Sequence, residues 1–485
     1  PYEYRNVHAK FNKTTNANES EANNENADDG HRTYFDMHPE WFALINGKRS
    51  CRNECKQANE GYYTGDNFCT SNTEAVAELS KNMLVSFENG QYKYLEYLNL
   101  WAYDNGIWCE CENCRKLGNL SRRMLMLGYE INKFFKNAYD KGIIGRRIRI
   151  VIPVYHETLE PPDMPLPEDF DYEHIIATFF PIERCYAHDI NDENCTETNL
   201  QLKRLYEKWT PFSDGNYKGV LFIGEYYNVS SFASLPLVFT KRIRNDLPYY
   251  SRTGTKHFYY MHIPAKNWGM LAINNGIIAG FLKSSDFDLN GFLDEFYRDF
   301  YPNTGKIVRK FHEKLEEASV NMKYLKHYQF SGNGEKISLI GEIIKKNKFP
   351  LEHCKYKART KNSNNAISFE ETMSRFIQAE KFMNKAMDIA KGIELERLEI
   401  EIMRFDYGFL VMKFIMRYVE LREVIDNGNR EIAEEIFQDT EDLRDRLIKI
   451  TKPLEEMKYE CPWYENAFKA TWHAATYEEL RQSML

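Results

Sequence analysis

Three carboxylates follow apolar, β-rich runs in the first half of the sequence, each beside aromatic rings. Leu98-Asn-Leu-Trp-Ala-Tyr-Asp104 reaches Asp104, Val151-Ile-Pro-Val-Tyr-His-Glu157 reaches Glu157, and Leu221-Phe-Ile-Gly-Glu225 reaches Glu225 ahead of Tyr226 and Tyr227. Paired carboxylates are what glycoside cleavage uses. One acid protonates the leaving oxygen, and a second group stabilises or traps the oxocarbenium-like centre. Rings such as Trp101, Tyr103, Tyr155, Tyr226, Tyr227 and Trp268 stack on the apolar faces of sugars, and His156 adjoins Glu157. Tyr155 and His156 are expected to shape a partly desolvated pocket that raises the proton affinity of Glu157, the preferred general acid/base. Asp104 is the preferred second group, and Glu225 competes with both. The same acids also suit ion pairs or helix caps, and spacing alone does not separate hydrolysis from sugar binding.

The chain has ten cysteines, three of them packed as Cys109-x-Cys111-x-x-Cys114. Three thiolates around one tetrahedral ion, completed by Cys69 or by Cys51-x-x-x-Cys55, make a structural zinc site. A disulfide, or reduced thiols packed under the loop after Asp104, explains the same pattern, and spacing alone leans to that second reading. Cys185 and Cys195 are placed for a disulfide in an oxidising compartment. His188, His257 and His262 lack HExxH-like spacing, which argues against a catalytic metal site and leaves contact with sugar hydroxyls open to them. With no GxGxxG after a strand and no Walker loop, no cofactor is expected for catalysis.

These residues need elements to hold them. Strand patterns occur at Trp41–Ile45, Tyr94–Tyr103, Arg147–Tyr155, Ile175–Phe180, Gly219–Tyr226 and His257–Met261, with Tyr2–Val7 as a possible first strand. Helical spacing fills Glu74–Phe87, Ser121–Lys141, Asn199–Trp209 and Pro236–Tyr250 between them, then Leu271–Leu282, Leu289–Tyr301 and Gly305–Ala318. Alternating strands and helices predict an α/β domain with a parallel sheet over residues 1–325. A connector over 326–367 leads to a helical region, 368–485, opened by the capping box Ser368-Phe-Glu-Glu371. The Asn-rich segment Asn12–Gly30 is assigned no structure.

A length of 485 residues exceeds what one compact core usually fills. Net charge −8 without a block of like charge excludes a nucleic-acid surface, and no apolar run is long enough for a membrane span. No leader pattern follows Pro1, so any leader is expected to lie outside this sequence. Aromatic residues reach 14%, which asks whether they fill a core or line a ligand surface.

Several segments together resemble a known family. They are His38-Pro-Glu-Trp-Phe-Ala-Leu-Ile-Asn-Gly-Lys-Arg49, Cys69-Thr-Ser-Asn-Thr-Glu74, Asp104-Asn-Gly-Ile-Trp-Cys-Glu-Cys-Glu-Asn-Cys114 and Tyr155-His-Glu-Thr-Leu-Glu-Pro-Pro162. Cys185-Tyr-Ala-His-Asp-Ile-Asn-Asp-Glu-Asn-Cys195, Glu225-Tyr-Tyr227 and Asp246-Leu-Pro-Tyr-Tyr250 continue the likeness. The chain resembles, over roughly residues 1–325, the uncharacterised-domain family numbered 4838, which includes glycoside hydrolase family 163. The resemblance implies a TIM-like (β/α) barrel and endo-β-N-acetylglucosaminidase action on N-glycans, assisted by the substrate's 2-acetamido group. It also implies an extracytoplasmic location. The stretch from Arg5 to His38 is shorter and richer in Asn than the family pattern, so the first βα unit is expected to be incomplete or altered. An exo-glycosidase on a uronic acid or another sugar, or a non-catalytic glycan-binding protein, are the alternatives.

Overall fold

A computed structural model describes residues 2–4, 34–58, 61–88, 94–103, 106–182, 184–186, 188–196, 198–228, 237–262, 272–318 and 369–456. The chain divides into two compact units. Pro1–Ile182, Arg204–Gly224 and Tyr250–Tyr259 form the first, and Glu183–Lys203, Glu225–Tyr249 and Tyr260–Leu485 the second. The joint expected over 326–367 lies outside the described residues.

The early elements are β1 (Tyr2–Tyr4), the short helix α1 (Tyr34–Met37), β2 (Ala43–Ile45), β3 (Lys48–Ser50), β4 (Asn53–Ala58) and β5 (Gly61–Gly65). Helix α2 (Thr73–Glu88), β6 (Tyr97–Leu100), α3 (Glu112–Lys116), α4 (Leu120–Asp140), β7 (Arg149–Val154) and β8 (Ile175–Phe179) follow. After them come α5 (Asn199–Trp209), β9 (Leu221–Asn228), α6 (Thr240–Arg252) and β10 (Thr255–His262). The main sheet runs β1-β6-β7-β8-β9-β10, with the pairs from β1 to β9 all parallel.

Among the described residues this order is linear, and they form an α/β parallel sheet with helices between its strands. One expected strand differs. The run Trp41–Ile45, expected as a sheet strand, turns back as a hairpin in which Ala43 pairs with Ser50 antiparallel. Asn46 and Gly47 carry φ +50° and +76°, the left-handed pair that a two-residue hairpin turn requires.

Residues Val151–Val154 and all of β8 are buried, as in a parallel sheet covered on both faces. Helix α4 covers them with Met124, Leu127, Gly128, Ile131, Phe135 and Ala138, spaced by three and four. It starts at Asn119, whose side-chain oxygen accepts from the Arg122 amide at 3.1 Å. Gly128 lets the helix approach closely, since a Cβ there would stand 3.0 Å from Ile152 Cδ1.

Asp171 anchors the entry to β8, accepting from Arg147 Nη2 at 2.7 Å, the His174 amide at 3.1 Å and Asn132 Nδ2 at 3.2 Å. Burial pushes this carboxyl up, but His174, Asn132 and Arg147 outweigh burial and hold it at about 2. A folded value below the unfolded one gives stabilisation that is fully present above about pH 4 and lost as pH falls toward 2. Asp171→Asn should therefore melt below wild type at neutral pH, with the two curves converging near pH 2. A pH-independent gap in thermal melts would contradict this.

In the second unit, α7 (Ala272–Lys283), α8 (Leu289–Phe300) and α9 (Gly305–Ala318) precede α10 (Phe369–Ile389), α11 (Ile393–Asp426) and α12 (Arg430–Glu456). Helix α10 contributes buried Met373, Phe376 and Met383, and α9 buries Val308, Phe311 and Leu315. Glu394 at the start of α11 accepts from the Thr304 amide at 2.8 Å and from Thr304 Oγ1 at 2.5 Å, capping α9. Buried Glu401 accepts from the Tyr301 hydroxyl at 2.6 Å and lies 2.8 Å from His312 Nε2. The C-terminal helices are thus built into the second unit by polar contacts as well as apolar ones. No helix among the described residues is long and apolar enough to cross a membrane.

Candidate active site and cysteine centre

Beyond β7 the chain enters a 3-10 turn, His156–Thr158, that carries Glu157. Thr158 is buried and ties the turn down. Its amide donates to Tyr155 O at 3.0 Å, and its hydroxyl oxygen accepts from the Tyr155 amide at 2.9 Å. His156 adopts φ +47°, a conformation that costs a non-glycine residue about 1–3 kcal/mol and is held only where surroundings over-determine it. The strain sits next to the candidate acid.

Tyr155, His156 and Glu157 are all half-buried. The Tyr155 and His156 rings lie 3.8 Å apart, and buried Trp101 meets Tyr155 edge-on at 5.5 Å. Trp108, also half-buried, donates its indole N–H to Glu157 Oε1 at 3.3 Å. The structure therefore gathers Glu157, Tyr155, His156 and Trp101 and adds Trp108, which no residue period singled out. Trp101 is only 5% exposed, so it backs Tyr155 rather than offering a sugar platform. Tyr103 is likewise core: its amide donates to Asn67 Oδ1 at 3.1 Å, and its ring covers Gly65, where a Cβ would stand 2.7 Å from Tyr103 Cζ. Asp104 and Trp268 lie outside the described residues.

Glu225 occupies a different setting. Strand β9 runs on to Asn228, so Glu225 is not a strand end, and its side chain is fully buried in the second unit. Arg184 Nη1 contacts Glu225 Oε1 at 2.6 Å and Asp246 Oδ2 at 2.8 Å, with all three side chains buried. The Tyr186 hydroxyl donates to Glu225 Oε2 at 2.7 Å, and the Tyr227 hydroxyl to Asp246 Oδ2 at 2.9 Å. Burial pushes both phenols well up, so they remain donors. Tyr226 is 4% exposed and Tyr227 1%, so both expected sugar platforms are core residues beside an ion-pair network.

Two cysteine groups complete the picture. Cys69, Cys109, Cys111 and Cys114 have sulfurs all within 4.8 Å of one another, and Cys69 Sγ stands 3.7 Å from both Cys111 Sγ and Cys114 Sγ. Of the two expected sources of a fourth sulfur, Cys69 joins the group and Cys51 stays outside it. Hydrogen bonds from Cys109 and Cys114 hold the Cys69 thiol far below its ordinary value. The second group is Cys185, His188 and Cys195, all buried, with Cys185 Sγ 3.3 Å from His188 Nδ1. Cys185 and Cys195 are not bridged, contrary to the disulfide expected from their spacing. A hydrogen bond from Cys185 lowers the Cys195 thiol to about 4. The C-x2-H-x6-C spacing was the signal that places His188 there. His257 packs on the Phe222 ring at 4.1 Å, and burial lowers its proton affinity.

A search of curated proteins finds no match to this chain. Among solved structures, a GH138 enzyme targeting pectin rhamnogalacturonan II is similar at TM-score 0.49 and 10% identity, over 85% of this chain and 65% of that one. The chain therefore spans less than two thirds of that protein's length. A family described as a domain of unknown function, DUF4838, matches residues 3–313. With most of its 485 residues inside that match, the chain belongs to the DUF4838 family.

Proposed function

We propose that the protein is a glycoside hydrolase in which Glu157 is the general acid/base. The observation that carries this reading is the half-buried Glu157 on a strained turn after a central parallel strand, its Oε1 fixed by Trp108 and its flanks lined by Tyr155 and His156. A carboxyl oriented by an N–H donor and partly shielded by rings is suited to proton delivery. Asp104 is the second carboxylate of this reading. In the sequence it follows β6 by four residues, and β6 pairs in parallel with β7, the strand that precedes Glu157.

The substrate class follows the resemblance to family 163: an N-glycan cleaved internally at N-acetylglucosamine. Glu157 gives its proton to the glycosidic oxygen as the bond from C1 breaks, while the substrate's acetamido carbonyl oxygen bonds to C1. Asp104 orients and polarises the acetamido N–H. Water then attacks C1, loses its proton to Glu157 and reopens the acetamido group, which resets the enzyme. The test is release of a glycan from a chitobiose core by wild type compared with Glu157→Gln. Equal turnover by the two would remove Glu157 from this role.

A further inference from the structure

We infer that Cys69, Cys109, Cys111 and Cys114 form a tetrahedral zinc centre whose task is to hold Trp108 against Glu157. The geometry of the sulfurs carries the first half. Thiolates about 2.3 Å from a tetrahedral zinc ion lie about 3.8 Å from one another, and Cys69 Sγ stands 3.7 Å from two of its partners. A disulfide needs about 2.05 Å, so this spacing fits an ion and not a covalent pair.

The surroundings suit thiolates. The Leu44 amide donates to Cys109 Sγ at 3.2 Å and the Cys114 amide to Cys111 Sγ at 3.4 Å. Arg49 Nη1 brings positive charge within 3.9 Å of Cys109 Sγ. The Ser71 hydroxyl lies 3.3, 3.6 and 3.2 Å from the sulfurs of Cys69, Cys111 and Cys114, over the face they share. Outer donors of this kind orient ligands and offset the charge of a four-thiolate site. Cys109 precedes α3, Cys111 caps that helix and Cys114 lies within it, whereas Cys69 comes from the segment before α2, so the ion would cross-link these two segments.

Position links the centre to the candidate acid. Trp108 immediately precedes Cys109 and follows Ile107, whose amide donates to Gly65 O at 3.0 Å. The Glu110 amide donates to Leu44 O at 2.8 Å, so the backbone on both sides of Trp108 is fastened. Releasing the ion removes the anchor on the Cys109 side, and with it the fixed indole N–H on Glu157. The importance of that link for catalysis rests on the reading of Glu157 above, whereas the centre itself does not.

The experiment uses the full chain and needs no substrate. Elemental analysis should find that Cys69→Ser and Cys111→Ser each lower zinc by one ion per chain relative to wild type, while Cys51→Ser and Cys185→Ser retain that ion. Cobalt substitution should give wild type the intense visible bands of tetrahedral thiolate coordination. If the serine variants do not fold, Cys69→His keeps four donors and should bind cobalt with a spectrum shifted toward three sulfurs and one nitrogen. Hydrogen exchange on the chelator-treated wild type should rise about tenfold or more both in 106–114 and in 155–158. Wild type with no metal and no cobalt bands, or a folded Cys69→Ser/Cys111→Ser chain that keeps the ion, overturns the centre. Faster exchange in 106–114 alone overturns the positioning of Glu157. Absence of glycan turnover would count only against the catalytic reading.

Discussion

Glu157→Gln should reduce turnover of a chitobiose-core glycan by about 10²- to 10⁴-fold, the usual contribution of a positioned proton donor. The amide keeps the volume of the side chain and an oxygen to accept the Trp108 N–H, so the melting temperature should stay close to wild type. The loss should fall on kcat with KM little changed, because the proton moves only in the transition state. A leaving-group series gives the sharper signature. Aryl glycosides with acidic phenols depart without protonation and should lose least, while the natural sugar leaving group should lose most. An equal loss across the series would show that Glu157 does something other than deliver a proton.

Arg184→Leu should destabilise the second unit by about 3–5 kcal/mol, the cost of breaking a buried ion pair from one side. Arg184 serves two carboxylates, Glu225 and Asp246, and all three side chains have no exposure. Without the guanidinium, two like charges are left buried against neutral donors, the Tyr186 hydroxyl and Tyr226 amide on Glu225 and the Tyr227 hydroxyl and Ile190 amide on Asp246. Urea unfolding should show the midpoint falling. Adding Glu225→Gln and Asp246→Asn to Arg184→Leu should recover part of the loss. A variant as stable as wild type would show that the network contributes specificity and not stability.

The helices and central strands were legible in the sequence because their signals are local. Ile175–Phe179 is a continuous apolar run, and α4 keeps a stripe spaced by three and four. Glu157 with Tyr155 and His156 was legible for the same reason, since a turn just past a buried strand leaves its residues at the strand's end. Glu225 was misplaced because Leu221–Tyr227 reads as a strand that could stop at any of its last residues. Only Arg184 and Asp246, remote in sequence, reveal that the side chain points into a core. The cysteine loop shows the same limit from the other side. Cys109, Cys111 and Cys114 announce themselves by spacing, but the choice of Cys69 over Cys51 depends on where β5 and the segment after it carry the chain. Asn46-Gly47 carried a hairpin signal that the apolar run Trp41–Ile45 masked.

The measurement that bears most directly on the account is mass-spectrometric identification of products when the wild-type chain is incubated with a chitobiose-core N-glycopeptide in 18O-labelled water. The account predicts a released glycan ending in one N-acetylglucosamine with a single 18O at its new anomeric hydroxyl, the other N-acetylglucosamine staying on the peptide, and neither product from Glu157→Gln on the same timescale. An intact glycopeptide after incubation with folded wild-type protein, or the same labelled product formed equally fast by Glu157→Gln, would contradict it.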